Sequence, residues 1–177
     1  LFYGQGPVTW TGPSQRVRNP YSNYGYYFLT ENDSAALMVD SAEFVKSFYP
    51  SYDFMNTLCE PEEYAWFHGG RNLFDSKVFG NGNSCSYTIE SAGNSALGYL
   101  TVTVTTNAAT IYSISLNDST VGSFVMDGPS SYNAAATSTK SIRVKNLKPT
   151  NTVVLSSARN ADMRLDNIIL NTNDYKP

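Results

Sequence analysis

Residues 99–106, YLTVTVTT, alternate without a break, placing Leu100, Val102 and Val104 on one face and Tyr99, Thr101 and Thr103 on the other. A period of two is that of a strand with one buried face. Residues 111–116 and 121–126 flank Asn117-Asp118-Ser119-Thr120. Asn and Asp suit a tight connection because they tolerate positive φ and bond to nearby backbone, so this is the best hairpin in the chain. Further strands are expected over 141–147, 152–157 and 163–171, separated by Lys148-Pro149-Thr150-Asn151 and by residues 158–162. Short strands at regular spacing, with turn chemistry between them, predict an all-β sandwich.

Upstream the pattern is weaker. Strands are expected over 2–3, 24–30, 36–39, 43–49 and 87–90, with residues 79–84, FGNGNS, as a loop that uses its glycines for sharp turns. Helical periodicity is nearly absent. The one short helix predicted lies within 52–67, where Pro61, Glu62 and Glu63 suit a first turn. The densest aromatic stretch is NPYSNYGYYFLTE, residues 19–31. Read as a strand, it puts Tyr24, Tyr26 and Phe28 on one face and Tyr27 and Leu29 on the other, and rings on a pleated surface bury large apolar areas. The expected organisation is a sandwich core over 95–177 and an irregular, aromatic-rich extension over 1–94 packed on it, or one continuous domain 1–177.

At 177 residues the chain has room for one sizeable core or two small ones. It carries 15% charged residues and a formal net charge of −3, with its Lys and Arg scattered. Nucleic acid is therefore not an expected partner, since phosphate backbones are bound through clustered cations. No apolar run approaches the roughly 18 residues of a membrane-crossing helix. The opening LFYGQGPVTW reads as a strand and its turn, with no charged and apolar leader, so a mature or excised segment is expected. Abundant Ser, Thr, Asn and Tyr with few charges points outside the cytoplasm. Asn32-Asp33-Ser34 and Asn117-Asp118-Ser119 match the glycosylation pattern, one that chance often produces.

The candidate chemistry is sparse. His68, in WFHGGRN, is the only histidine, and Cys59 and Cys85 are the only cysteines. They allow one disulfide or two free thiols, and two are too few for a disulfide framework. A Cys–His dyad needs an activated thiolate and an oxyanion hole on a rigid frame, and no strand–loop–helix frame surrounds either cysteine. No G-x-S-x-G is present, so no catalytic residue is expected. Three His and Cys residues in all do not make a zinc site. No cofactor is expected. A structural calcium would have to draw on Asp33, Asp53, Asp75, Asp118, Asp127 or Asp166, and no EF-hand spacing joins them. Glu60, Glu62 and Glu63 sit together in a Pro-marked turn, unlike glycosidase carboxylates set on separate strands facing a cleft.

Four stretches in order, LFYGQGPVTW, NPYSNYGYYFLT, GGRNLFDSKVFG and RLDNIILN, resemble the amino-terminal, non-catalytic region of gingipain-like cysteine peptidases. Within that family the likeness is to the PorU-type sortases of the type IX secretion system in Bacteroidetes. The resemblance implies an accessory β-domain, secreted or at the cell surface, whose partner is a downstream peptidase domain of the same polypeptide; secretion-system or cell-surface components would be further partners. The family's catalytic residues lie in a caspase-like domain beyond this segment, so none is carried over. His68-Gly69-Gly70 is similar to a catalytic His-Gly motif but falls in the Gly-Arg segment ahead of the sandwich. Gly70-Arg71-Asn72-Leu73 departs from the family's usual Gly-Arg-Glu-aromatic wording, leaving the paralogue open. RLDNIILN also resembles the final strand of galactose-binding-like jelly rolls, which gives a competing expectation, a carbohydrate-binding module with Trp10, Trp66 and Tyr132 stacking on glycans. Fold resemblance alone does not establish a ligand.

Overall fold

The computed structural model describes residues 8–12, 15–19, 21–22, 24–28, 53–66, 72–91, 97–131 and 133–174. The chain divides into two units, Leu1–Asp53 with Tyr175–Pro177, and Phe54–Asp174. In the first, β1 (Val8–Gly12) and β2 (Gln15–Arg18) pair antiparallel, with Val8 opposite Arg18 and Trp10 opposite Arg16.

The second unit is built from β3 (Asp53–Cys59), β4 (Ser84–Glu90), β5 (Leu97–Thr106), β6 (Thr110–Leu116), β7 (Ser119–Met126), β8 (Ala136–Lys145), β9 (Thr150–Ser156) and β10 (Met163–Asp174). They form two four-stranded sheets, one in the order β3-β10-β5-β8 and the other β4-β9-β6-β7. β5 pairs antiparallel with β10 and β8, and β9 with β4 and β6. Apart from the β6–β7 hairpin, every connection from β3 onward passes from one sheet to the other, which is jelly-roll order. Among the described residues there is no helix.

Alternation selects what enters the core. SCSYTIE in β4 buries Cys85, Tyr87 and Ile89 and exposes the residues between them. Opposite stand Leu100, Val102 and Val104 from β5 and Met163, Leu165, Ile168 and Leu170 from β10, all fully buried. Each such side chain contributes roughly 1.5–3 kcal/mol on leaving water. The second face of β5 departs from a solvated one, because Thr101, Thr103 and Thr105 are also buried. Thr101 donates to the Ser141 hydroxyl and Thr103 bonds to Thr139 across the β5–β8 pair, so hydroxyl pairs tie two strands where a half-exposed strand would meet water.

Asn117 and Asp118 both adopt positive φ, 48° and 69°, the conformation a two-residue hairpin turn of this hand requires. The Asn117 side chain donates to Asn151 and accepts from the Thr152 backbone, tying the turn to β9. Gly80 is the glycine the 79–84 loop cannot replace. Its φ is +125°, and a Cβ there would stand 2.0 Å from the Ala161 carbonyl oxygen.

The helix expected within 52–67 does not form: residues 53–59 are a strand and 60–66 run irregularly to a bridge between Tyr64 and Phe74. Pairing with β10 overrides weak local preference there, and the Asn171 amide donates to Asn56 across the two strands. The expected strand over 24–30 is also absent across 24–28, where Tyr24, Tyr26 and Phe28 are 71%, 80% and 97% exposed. β8 covers 136–145 instead of 141–147; Asn146 turns to φ +56° and ends it. Because β3 and β4 lie in the two sheets, the sandwich starts upstream of residue 95. The strands expected over 2–3, 36–39 and 43–49 lie outside the described residues.

Candidate functional site

β3 and β4 are end strands of opposite sheets, and the segment between them fills the sandwich edge they leave. Asp75 donates its backbone N–H to Leu165 and Phe79 exchanges two backbone bonds with Met163, so residues 75–79 extend the sheet beside β10. This geometry turns the Asp75 side chain inward, where it is 2% exposed. It accepts from the Tyr87 hydroxyl at 2.6 Å and from the Lys77 backbone at 3.0 Å. The Lys77 ammonium lies 5.7 Å from the centre of the Tyr87 ring. A carboxyl group taken out of water needs such donors.

Arg164, on β10, closes the same edge from outside. Its Nη1 donates to the carbonyls of Asp75 and Ser76 at 2.8 and 2.6 Å, and its guanidinium stands 4.0 Å from the Tyr64 ring and 5.3 Å from the Trp66 ring. Trp66 also meets Phe74 edge-on, with ring centres 6.3 Å apart. Ser76 donates from its hydroxyl to Glu63. One planar cation thus joins two loop segments that are about ten residues apart in sequence.

Both cysteines border this cluster as free thiols, Cys85 buried and Cys59 packed against the core. Burial pushes both above the ordinary value of 9.0; the Asp75 charge adds to this and Lys77 works against it, as does the neighbouring Tyr87 hydroxyl at Cys85. Tyr87 is raised too, by burial first and by its bond to Asp75 second. Raised in this way, both thiols favour the protonated form, which is a weaker nucleophile than the thiolate. Among the described residues no three His, Cys, Asp or Glu side chains converge to hold a metal ion.

The residues expected to stack on glycans fall in different parts of the chain. Trp66 is half-buried in the Arg164 cluster, Trp10 is half-buried on β1 in the other unit, and Tyr132 lies outside the described residues, as does His68. Of the calcium candidates, Asp75 is committed to Tyr87, Asp118 sits in the β6–β7 turn and Asp166 on β10; Asp33 lies outside the described residues. Glu60, Glu62 and Glu63 lie on the irregular path after β3 and not on a helix. What sequence reasoning missed is Arg164: nothing local marks it, since its partners come from residues 64–76.

The two sheets define an all-β sandwich module in jelly-roll order. Among solved structures the chain is similar to dimeric latent PorU from Porphyromonas gingivalis, with 21% identity and a TM-score of 0.65 over 98% of this chain and 18% of that one. It is similar as well to the CBM36-1 domain of a multidomain xylanase from the hindgut metagenome of Trinervitermes trinervoides, with 20% identity and a TM-score of 0.44 over 70% of this chain and all of that one. A family 35 carbohydrate binding module from an environmental isolate gives 19% identity and a TM-score of 0.44 over 72% of this chain and 96% of that one. No protein-family model and no curated protein sequence matches the chain.

Proposed function

We propose that the chain is a non-catalytic accessory β-domain from the amino-terminal part of a gingipain-like cysteine peptidase of the PorU type, acting outside the cytoplasm to position or support a downstream peptidase domain. The observation that carries this reading is extent: the likeness to PorU runs over 98% of the chain, whereas the carbohydrate-module likenesses stop at about seven-tenths of it. The order of the four resembling stretches supports it.

The test joins the purified chain to fluorogenic peptides containing Arg or Lys. No cleavage is expected, and Cys59→Ala and Cys85→Ala should change nothing. In the parent gene, deleting the region that encodes this chain should lower the yield of correctly placed peptidase. Cleavage by the chain alone that is lost in either cysteine variant would overturn the reading.

A further inference from the structure

At one corner of the β3-β10-β5-β8 sheet lies a cleft of about 100 Å³ lined by Leu97, Gly98, Tyr99 and Arg143. Leu97 and Tyr99 are 40% and 50% exposed, so two apolar surfaces face water side by side on β5. The β5–β8 register sets a cation directly opposite each of them, Lys145 across from Leu97 and Arg143 across from Tyr99. Directly opposed side chains on a pair of strands are neighbours, with Cβ atoms about 5 Å apart. Among the described residues neither the Arg143 nor the Lys145 side chain has an ion-pair or hydrogen-bond partner, and both are exposed. The floor is fixed from below: a Cβ on Gly98 would meet the Asn171 carbonyl and the Leu147 side chain, each at 2.8 Å.

Two unpaired cations beside an apolar wall ask for a ligand that is both anionic and greasy. The cleft holds the volume of about three waters at roughly 30 Å³ each, which is also the scale of one aliphatic side chain. A guanidinium presents a fork that matches a carboxylate in its own plane. A sugar would need several hydroxyl partners along the wall, and Leu97 offers none. We infer that this cleft binds the carboxyl-terminal end of a peptide chain whose last residue is aliphatic. The carboxylate lies on Arg143 with Lys145 alongside, and the final side chain lies against Leu97 and Tyr99. The site is independent of the peptidase reading, and its test does not use proteolysis.

N-acetylleucine titrated into the isotope-labelled full chain should shift the amide signals of Leu97, Gly98, Tyr99 and Arg143 and leave the β6–β7 hairpin still. Arg143→Gln should weaken that binding about tenfold, the usual scale for losing a charge-assisted bond, with Arg143→Lys between the two. Leu97→Ser should weaken it as well. Each variant changes an exposed side chain, and an unaltered circular dichroism spectrum confirms that the fold is kept. N-acetylleucinamide, which lacks the carboxylate, and acetate, which lacks the side chain, should both bind at least tenfold more weakly. Equal binding of either control, equal binding of methyl glucuronide, or an Arg143→Gln variant that binds as well as the parent would overturn the assignment.

Discussion

Two stretches set large apolar side chains at every second position and end in opposite environments. In β5, YLTVTVTT places Leu100, Val102 and Val104 at 0% exposure, with β10 on one side and β8 on the other. In residues 24–28 the rings of Tyr24, Tyr26 and Phe28 also stand at every second position, yet no strand forms and the rings are largely in water. A period of two states which residues could share a face. It does not supply the neighbouring strand whose ladder and side chains make that face worth burying.

The comparison is sharpest where its two sides are truncated. Leu100→Ala should cost about 2–5 kcal/mol in urea unfolding, as the loss of a large aliphatic side chain from a filled core does. A cost under about 1 kcal/mol would mean that β5 is not the centre of the sandwich. Next in size is the polar edge. Asp75→Ala strands the Tyr87 hydroxyl in a buried place, and about 1–3 kcal/mol should be lost; adding Tyr87→Phe should return part of it. Additive losses in that double-mutant cycle would argue against a coupled pair.

Alkali probes the same edge. Cys59 and Cys85 are raised above 9.0 in the folded chain and Tyr87 and Tyr112 above 10.0, chiefly by burial. Above those ordinary values the unfolded chain releases protons that the folded chain retains. The contribution is therefore complete below about pH 9 and is lost as pH climbs, first with the thiols and then with the phenols. Unfolding midpoints at pH 7, 9 and 10.5 should fall in that order, and replacing both cysteines by Ala should delay the onset by about one pH unit. The smallest effect belongs to the exposed rings. Tyr26→Ala and Phe28→Ala should each change stability by no more than about 0.5 kcal/mol, and a drop near that of Leu100→Ala would place those rings in a buried surface after all.

What the sequence revealed follows the same division. β5, the β6–β7 hairpin and β9 were legible because their information is local: alternation, two residues fit for positive φ, and turn residues at both ends. β3 was not, since DFMNTLC leads into Pro61-Glu62-Glu63, whose helix-start chemistry is satisfied equally by an irregular path once β10 offers a pairing edge. The edge cluster was legible only in pieces. Asp75, Tyr87 and Arg164 are separated by up to 89 positions, and their meeting depends on strand register and not on any motif. The Tyr99–Arg143 cleft is hidden for the same reason, because its cation and its ring belong to different strands.

The last strand in chain order serves the earliest strand of the sandwich, and this imposes a schedule on folding. Asn56 on β3 waits for Asn171 on β10, 115 positions later, and β4 waits for β9, with Ser84 meeting Ser156. Sandwiches dominated by such distant pairings fold in about milliseconds to seconds, since a long loop must close before either strand is rewarded. On a ribosome delivering roughly 5–20 residues per second, β3 would spend seconds with an open hydrogen-bonding edge. A chaperone or a slow export step that shields residues 53–59 until β10 has emerged would raise the yield of native protein without changing its final stability.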